Sequence, residues 1–168
     1  MTKMNTSISG QTFTTKKTLR KSLMKIRNLN KSDYASWRNL WDQYLVFYKH
    51  QLTEEQTQLT FERLLYSNLG IHGFVLEVDG QIFGIAHCSF RYSTWAENQE
   101  LYLEDLFVDP SVRGQGFGRA LIEATAEFGK QHGAQKLYWQ THRENATAQR
   151  LYETLATKSE FVTYEKTI

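Results

Sequence analysis

Residues 101–121 read LYLEDLFVDPSVRGQGFGRAL, and this stretch decides the fold. An apolar run carrying two carboxylates, Glu104 and Asp105, predicts a strand that ends at the chain's only proline, Pro110. Arg113-Gly114-Gln115-Gly116-Phe117-Gly118 follows as a glycine-spaced turn. Leu121, Ile122, Ala124, Thr125 and Phe128 then share one side of a helix predicted over 116–132. Such a turn bares closely spaced backbone N–H groups, and the helix behind it adds partial positive charge. The unit suits a pyrophosphate. Two common phosphate motifs do not fit. A dinucleotide fingerprint needs G-x-G-x-x-G, whereas Gly114, Gly116 and Gly118 alternate. A P-loop needs Gly-Lys-Ser/Thr, and Arg119-Ala120 stands there instead.

Working outward, Lys25–Leu29 predicts a short strand, and Asn30-Lys31-Ser32 a turn and cap leading to a helix over 33–48. Trp37, Trp41, Tyr44 and Tyr48 share one face of that helix. Thr53-Glu54-Glu55-Gln56 opens a second helix ending near Gly70. Gly73–Val78 and Gln81–Phe90 form a hairpin through Asp79-Gly80. Beyond the central helix come a strand over Gln135–Thr141, a helix over Glu144–Ala156 and a last strand over Glu160–Glu165. The order β-α-α-β-β-β-α-β-α-β predicts an α/β fold with a mixed central sheet flanked by helices.

At 168 residues, 40% of them hydrophobic, the chain suits one domain with a genuine core. Residues 1–23 hold five basic residues and no acid, are rich in Ser and Thr, and are read as a disordered basic extension to a domain over 24–168. With those five set aside, 15 basic residues face 18 acidic ones, a balance that disfavours non-specific nucleic-acid binding. No apolar run reaches membrane-span length and no secretory signal is visible, so the expected setting is the cytoplasm, with no membrane partner. Cys88 is the only cysteine; it sits in an apolar strand pattern and reads as a buried spectator. The histidines show no ligand spacing, and no metal is expected.

The strand, turn and helix resemble the acetyl-CoA signature of the GNAT N-acetyltransferase superfamily. Arg113 to Gly118 carries that signature, and Tyr102 to Val108 is similar to the corresponding strand of its polyamine acetyltransferases. Asn145 and Tyr152 stand seven apart, matching the family's Asn-x6-Tyr. The segments Tyr138-Trp139-Gln140-Thr141 and Phe161-Val162-Thr163-Tyr164 resemble the branch containing the yeast histone and polyamine acetyltransferases. The resemblance implies a mostly antiparallel sheet, acetyl-CoA as cosubstrate, an amine acceptor and a homodimer. It assigns cofactor contacts to Phe107, Val108, Arg113, Gly114, Gln115, Gly116, Phe117, Gly118, Arg119 and Asn145. The backbone N–H of Val108 is the donor it implies for the thioester carbonyl.

The chemistry agrees with that assignment. An alkylammonium has a pKa of about 10.4, so a base must take its proton before it attacks a thioester. Glu104 is the first choice for that base. In a regular strand Asp105 points to the opposite face, and only a bulge would change this, so Asp105 stays as the alternate. Tyr152, with a phenol pKa of about 10, would protonate the departing thiolate. Trp41, Tyr44, Asp105 and His142 are candidates for the acceptor side, although four aromatics at helical spacing are more often core than binding surface. A non-catalytic acyl-CoA-binding module is the rival, and it needs neither Glu104 nor Tyr152. One departure stands out: no glycine follows Tyr152, where the family has a basic turn and Gly-Phe, so the last strand is displaced or pairs with a partner subunit.

Overall fold

The computed structural model describes residues 23–168, so the reading of 1–23 as a disordered extension lies, but for its last residue, outside the described residues. Strands β1 (Met24–Asn28), β2 (Ile71–Val78), β3 (Gln81–Tyr92) and β4 (Gln99–Val108) form a consecutive antiparallel meander. A short β5 (Leu137–Trp139) adds to β4 in parallel. Helices α1 (Tyr34–Phe47) and α2 (Glu54–Leu65) connect β1 to β2, α3 (Phe117–Gln131) connects β4 to β5, and α4 (Ala146–Tyr152) follows β5. The turn chemistry explains the joints. Asp79 (φ 50°) and Gly80 (φ 86°) adopt the left-handed conformations of a two-residue hairpin. Thr53 caps α2 by accepting from the Gln56 N–H.

The sheet has two covered faces. On one, Trp37, Leu40, Trp41, Phe61 and Leu64 of α1 and α2 bury Val75, Ile85 and Phe107. On the other, Leu121 and Ile122 of α3 bury Phe74, Leu76, Ala86, Cys88, Leu101 and Leu103. The expected spectator role of Cys88 agrees with its full burial, which pushes its thiol pKa up to about 12. Leu121 is fully buried over Gly84, where an added Cβ would lie 3.0 Å from its side chain. Leu121→Ala is expected to cost about 2–5 kcal/mol in urea unfolding, as removal of a well-packed core leucine does.

One expected element is missing. Residues 160–165, predicted as a last strand, carry no regular structure, and nor does any residue from 158 to the end. β5 pairs over only three residues, so it gives a neighbour little ladder to extend, and Phe161, Val162 and Tyr164 stand exposed. The last helix is also shorter than the predicted 144–156: the Asn145 side chain accepts from the Ala148 N–H and starts it at Ala146, and after Tyr152 the chain turns over 153–156.

Candidate active site

The site begins with an irregularity in β4. His87 pairs with Asp105 and Cys88 with Leu103, so Glu104 is one extra residue on that strand. Backbone directions report the same bulge. The Leu101 N–H donates to Lys136 on the β5 side, whereas the Asp109 N–H donates to Phe83 on β3. Both positions are odd-numbered, and in an uninterrupted strand they would point the same way. Past the bulge, the N–H groups of Leu106 and Val108 therefore face away from β3. There β5 no longer follows, since its pairing with β4 stops at Leu103 and Trp139. The sheet parts at that point, and β4 offers unpaired amides to the opening.

A cleft of about 260 Å³ occupies the gap. Glu104 and Leu106 form its β4 wall, Trp139 and Tyr152 the wall opposite, and Tyr44, Tyr48 and His142 its mouth. The bulge also corrects the expectation about the carboxylates. His87 and Ser89 are two apart on β3 and share a face; Asp105 bonds the first and Glu104 the second, so both acids lie on the α1 side. Ser89 Oγ and the Arg91 guanidinium both donate to Glu104 Oε1. Oε2 accepts no hydrogen bond among the described residues, so one carboxylate oxygen stays available beside the cleft.

Tyr152, the last residue of α4, packs edge-on against Trp139 with ring centroids 5.3 Å apart. Burial, and after it the neighbouring Tyr48, pushes its pKa up to about 12. The phenol keeps its proton through neutral pH and well above it. Asn145 caps α4 and donates to Thr141 Oγ1 at 3.2 Å, so both ends of its amide have protein partners.

The glycine turn has the conformation an anion needs. Gly114 (φ 80°) and Gly116 (φ 82°) are left-handed, and a Cβ at either would meet nothing within 4 Å. Gly116 caps α3 without a side-chain acceptor, and the first intrahelical bond is Ala120 N–H to Gly116 O. The N–H groups of Phe117, Gly118 and Arg119 precede that bond, and no acid stands in the first turn. Gly118 abuts Leu151, where a Cβ would lie at 3.2 Å, which seats the turn against α4. These features fit the pyrophosphate of a CoA thioester. Arg113 and Gln115 lie exposed on the turn, and Arg113 lies 5.9 Å from the Phe107 ring. Arg119 points elsewhere: it donates to Thr154 Oγ1 at 2.7 Å and so ties α3 to the end of α4.

The acceptor candidates divide. Tyr44 and His142 line the cleft. Trp41 is only 5% exposed, stacked between Trp37 and Tyr44 at 5.6 and 5.2 Å, and belongs to the core; its buried indole N–H has no partner among the described residues. Asp105 lies behind the cleft wall, bonded to the buried His87. Four contributors escaped sequence reasoning: His87, Ser89 and Arg91 on β3, and Trp139. The signal for the first three is polar alternation, H-x-S-x-R at 87–91, inside an otherwise apolar strand.

A sheet opened at a bulge, with an uncapped glycine turn at the end of the opened strand, defines an acyltransferase that draws on a CoA thioester. The chain belongs to the acetyltransferase (GNAT) family, whose family model matches residues 34–156. The D-amino-acid N-acetyltransferase HPA3 of Saccharomyces cerevisiae is 30% identical over 144 residues, covering 84% of this chain and 89% of that protein. Thialysine N-epsilon-acetyltransferase of Caenorhabditis elegans is 34% identical over 97 residues, or 55% of this chain and 60% of that one. Among solved structures, aminoglycoside N-acetyltransferase AAC(6')-Iy in complex with a CoA bisubstrate analogue superposes with a TM-score of 0.75 at 26% identity, covering 88% of this chain and all of that one.

Proposed function

We propose that the chain transfers an acetyl group from acetyl-CoA directly to the primary amine of a small metabolite or of a lysine side chain, with Glu104 as base and Tyr152 as acid. One observation carries this reading: Glu104 and Tyr152 stand on opposite walls of a single cleft, at the place where β4 and β5 part. Acetyl-CoA supplies the activated acyl group, its pyrophosphate lying on Gly114, Gly116 and the N–H groups of Phe117 and Gly118. Arg113 and Gln115 add side-chain contacts there, and Asn145 orders the loop that meets the pantetheine arm. Glu104 Oε2 accepts the proton of the incoming ammonium. The N–H groups of Leu106 and Val108 face the opening and bind the carbonyl oxygen as negative charge develops on it; Leu106 is the one that lines the cleft. Tyr152 gives its proton to the departing sulfur, and the nitrogen, still positively charged after attack, releases its second proton to solvent as the amide forms. Tyr44 and His142 shape the acceptor entrance.

A homodimer is the assembly we favour, because Phe161, Val162 and Tyr164 stand exposed near β5, with Thr163 bonded to Gln140 just past that strand. Paired against a second copy, such a segment would satisfy its backbone and cover its aromatics. A cytoplasmic setting fits a single, buried, unpaired cysteine; among the described residues no helix is long and apolar enough to cross a membrane.

The test is thiol release from acetyl-CoA over a panel of amines and lysine peptides, with acetylated products weighed by mass spectrometry. Tyr152→Phe is expected to lower kcat by about 10- to 100-fold while acetyl-CoA still binds. CoA binding with no acetylated product from any amine would overturn the reading.

A further inference from the structure

His87 is 2% exposed, and both of its ring nitrogens are engaged. The Trp37 indole donates to Nε2 at 2.9 Å, and Nδ1 lies 2.9 Å from Asp105 Oδ2. An indole N–H only donates, so Nε2 must accept. The ring proton is thereby placed on Nδ1, and the imidazole donates to Asp105. Trp37 is itself fully buried, wedged against Phe61 and Trp41, so it holds this tautomer from within the core.

The row on β3 then separates the two acids. Glu104 has a cation beside it, Arg91 at 2.8 Å. Asp105 has none within ion-pairing distance among the described residues except this histidine, whose Nε2 is already taken. Tyr44 packs edge-on against Phe107, two residues beyond Asp105 on the same face of β4, with ring centroids 6.2 Å apart; burial, and after it the Asp105 charge, pushes its phenol pKa up. Tyr44 lines the cleft. The hydrogen-bonded groups run from the core through Trp37 and His87 to Asp105, which ends beneath the tyrosine at the acceptor entrance.

We infer that His87 is a positioning residue for the acceptor amine: in the tautomer set by Trp37 it fixes the Asp105 carboxylate behind Tyr44, so that a negative charge stands close behind the tyrosine wall that meets the incoming ammonium. The inference rests on the acetyltransferase reading above and adds a residue to it. His87 moves no proton and touches neither substrate; both nitrogens are occupied by protein. Its effect falls on the amine side, because neither His87 nor Asp105 bonds any residue of the 113–118 turn that holds the pyrophosphate.

The experiment compares wild type, His87→Leu and His87→Asn in the full chain, using acetyl-CoA and the amine from the panel that turns over fastest. Steady-state kinetics give KM and kcat for each substrate, calorimetry gives the CoA affinity, and thermal melting reports folding. His87→Leu is expected to lower kcat/KM for the amine by about 10- to 100-fold, the scale of a lost hydrogen bond to a charged group. CoA affinity should not change. His87→Asn is expected to recover most of that loss, since its amide can donate to Asp105 from near the Nδ1 position. An unchanged kcat/KM in His87→Leu overturns the inference. So do equal losses in both variants that track the melting temperature, which would make His87 a packing residue. Wild-type protein that binds CoA and acetylates nothing would overturn the acetyltransferase reading itself, a result distinct from either.

Discussion

Glu104→Gln is expected to reduce kcat for the amine by about 10²- to 10³-fold at pH 7, the largest kinetic effect of any single substitution in the cleft. At that pH an alkylammonium with a pKa of about 10.4 is neutral in fewer than roughly one molecule in a thousand, so removal of the base leaves attack to that small fraction. Gln keeps the shape and still accepts from Ser89 and Arg91 through its carbonyl oxygen, but its NH2 replaces the free Oε2 and takes no proton. The deficit should shrink as pH rises toward 10, because solvent then supplies the free amine that Glu104 otherwise makes. Tyr152, with its pKa pushed up to about 12, remains a proton donor across that range and does not confound the profile. Steady-state rates from pH 6.5 to 10 check this. A variant that keeps wild-type kcat, or a deficit constant with pH, would move the proton-accepting role to another group.

Much of the site was legible before any coordinates. The glycine alternation after β4 needed only the residue order, because left-handed backbone and bare amides are local properties of Gly114 and Gly116. The Asn145–Tyr152 spacing likewise put both residues on the element after β5, although the helix predicted over 144–156 ends at Tyr152. What stayed hidden depends on long-range pairing. A bulge at Glu104 is a relation between β3 and β4, and it alone decides that Asp105 shares a face with Glu104. The row of His87, Ser89 and Arg91 acquires meaning only when that register sets it opposite the two acids. Trp41 failed as an acceptor candidate for a related reason. Helical spacing puts it on one face with Tyr44, but the distance of each from the open end of the sheet makes one core and the other cleft wall. The missing last strand shows the limit of β-propensity, since alternating apolar residues form a strand only where an edge of sufficient length is offered.

The turn gives the second large effect. Gly116→Val is expected to weaken acetyl-CoA binding by about 100-fold or more while the chain still folds. Two consequences of the added side chain must be separated. A β-branched residue at φ 82° is strained, at about 1–2 kcal/mol, and this lowers the melting temperature wherever it occurs. The new side chain also projects into the open space above the turn, where no protein atom lies within 4 Å of the Cβ and where the pyrophosphate would sit. Gly133 supplies the control. It is left-handed too (φ 79°), a Cβ there meets equally open space, and it follows the C-terminus of α3, at the opposite end of the helix. Gly133→Val should therefore carry a similar thermal penalty and bind CoA as wild type does. Calorimetry with CoA, read beside thermal melts of both variants, distinguishes the outcomes. If both lose CoA equally, backbone strain transmitted through α3 is the cause, and the turn is not the anion site. If only Gly116→Val loses it, the phosphates lie over the amides that its glycine leaves bare.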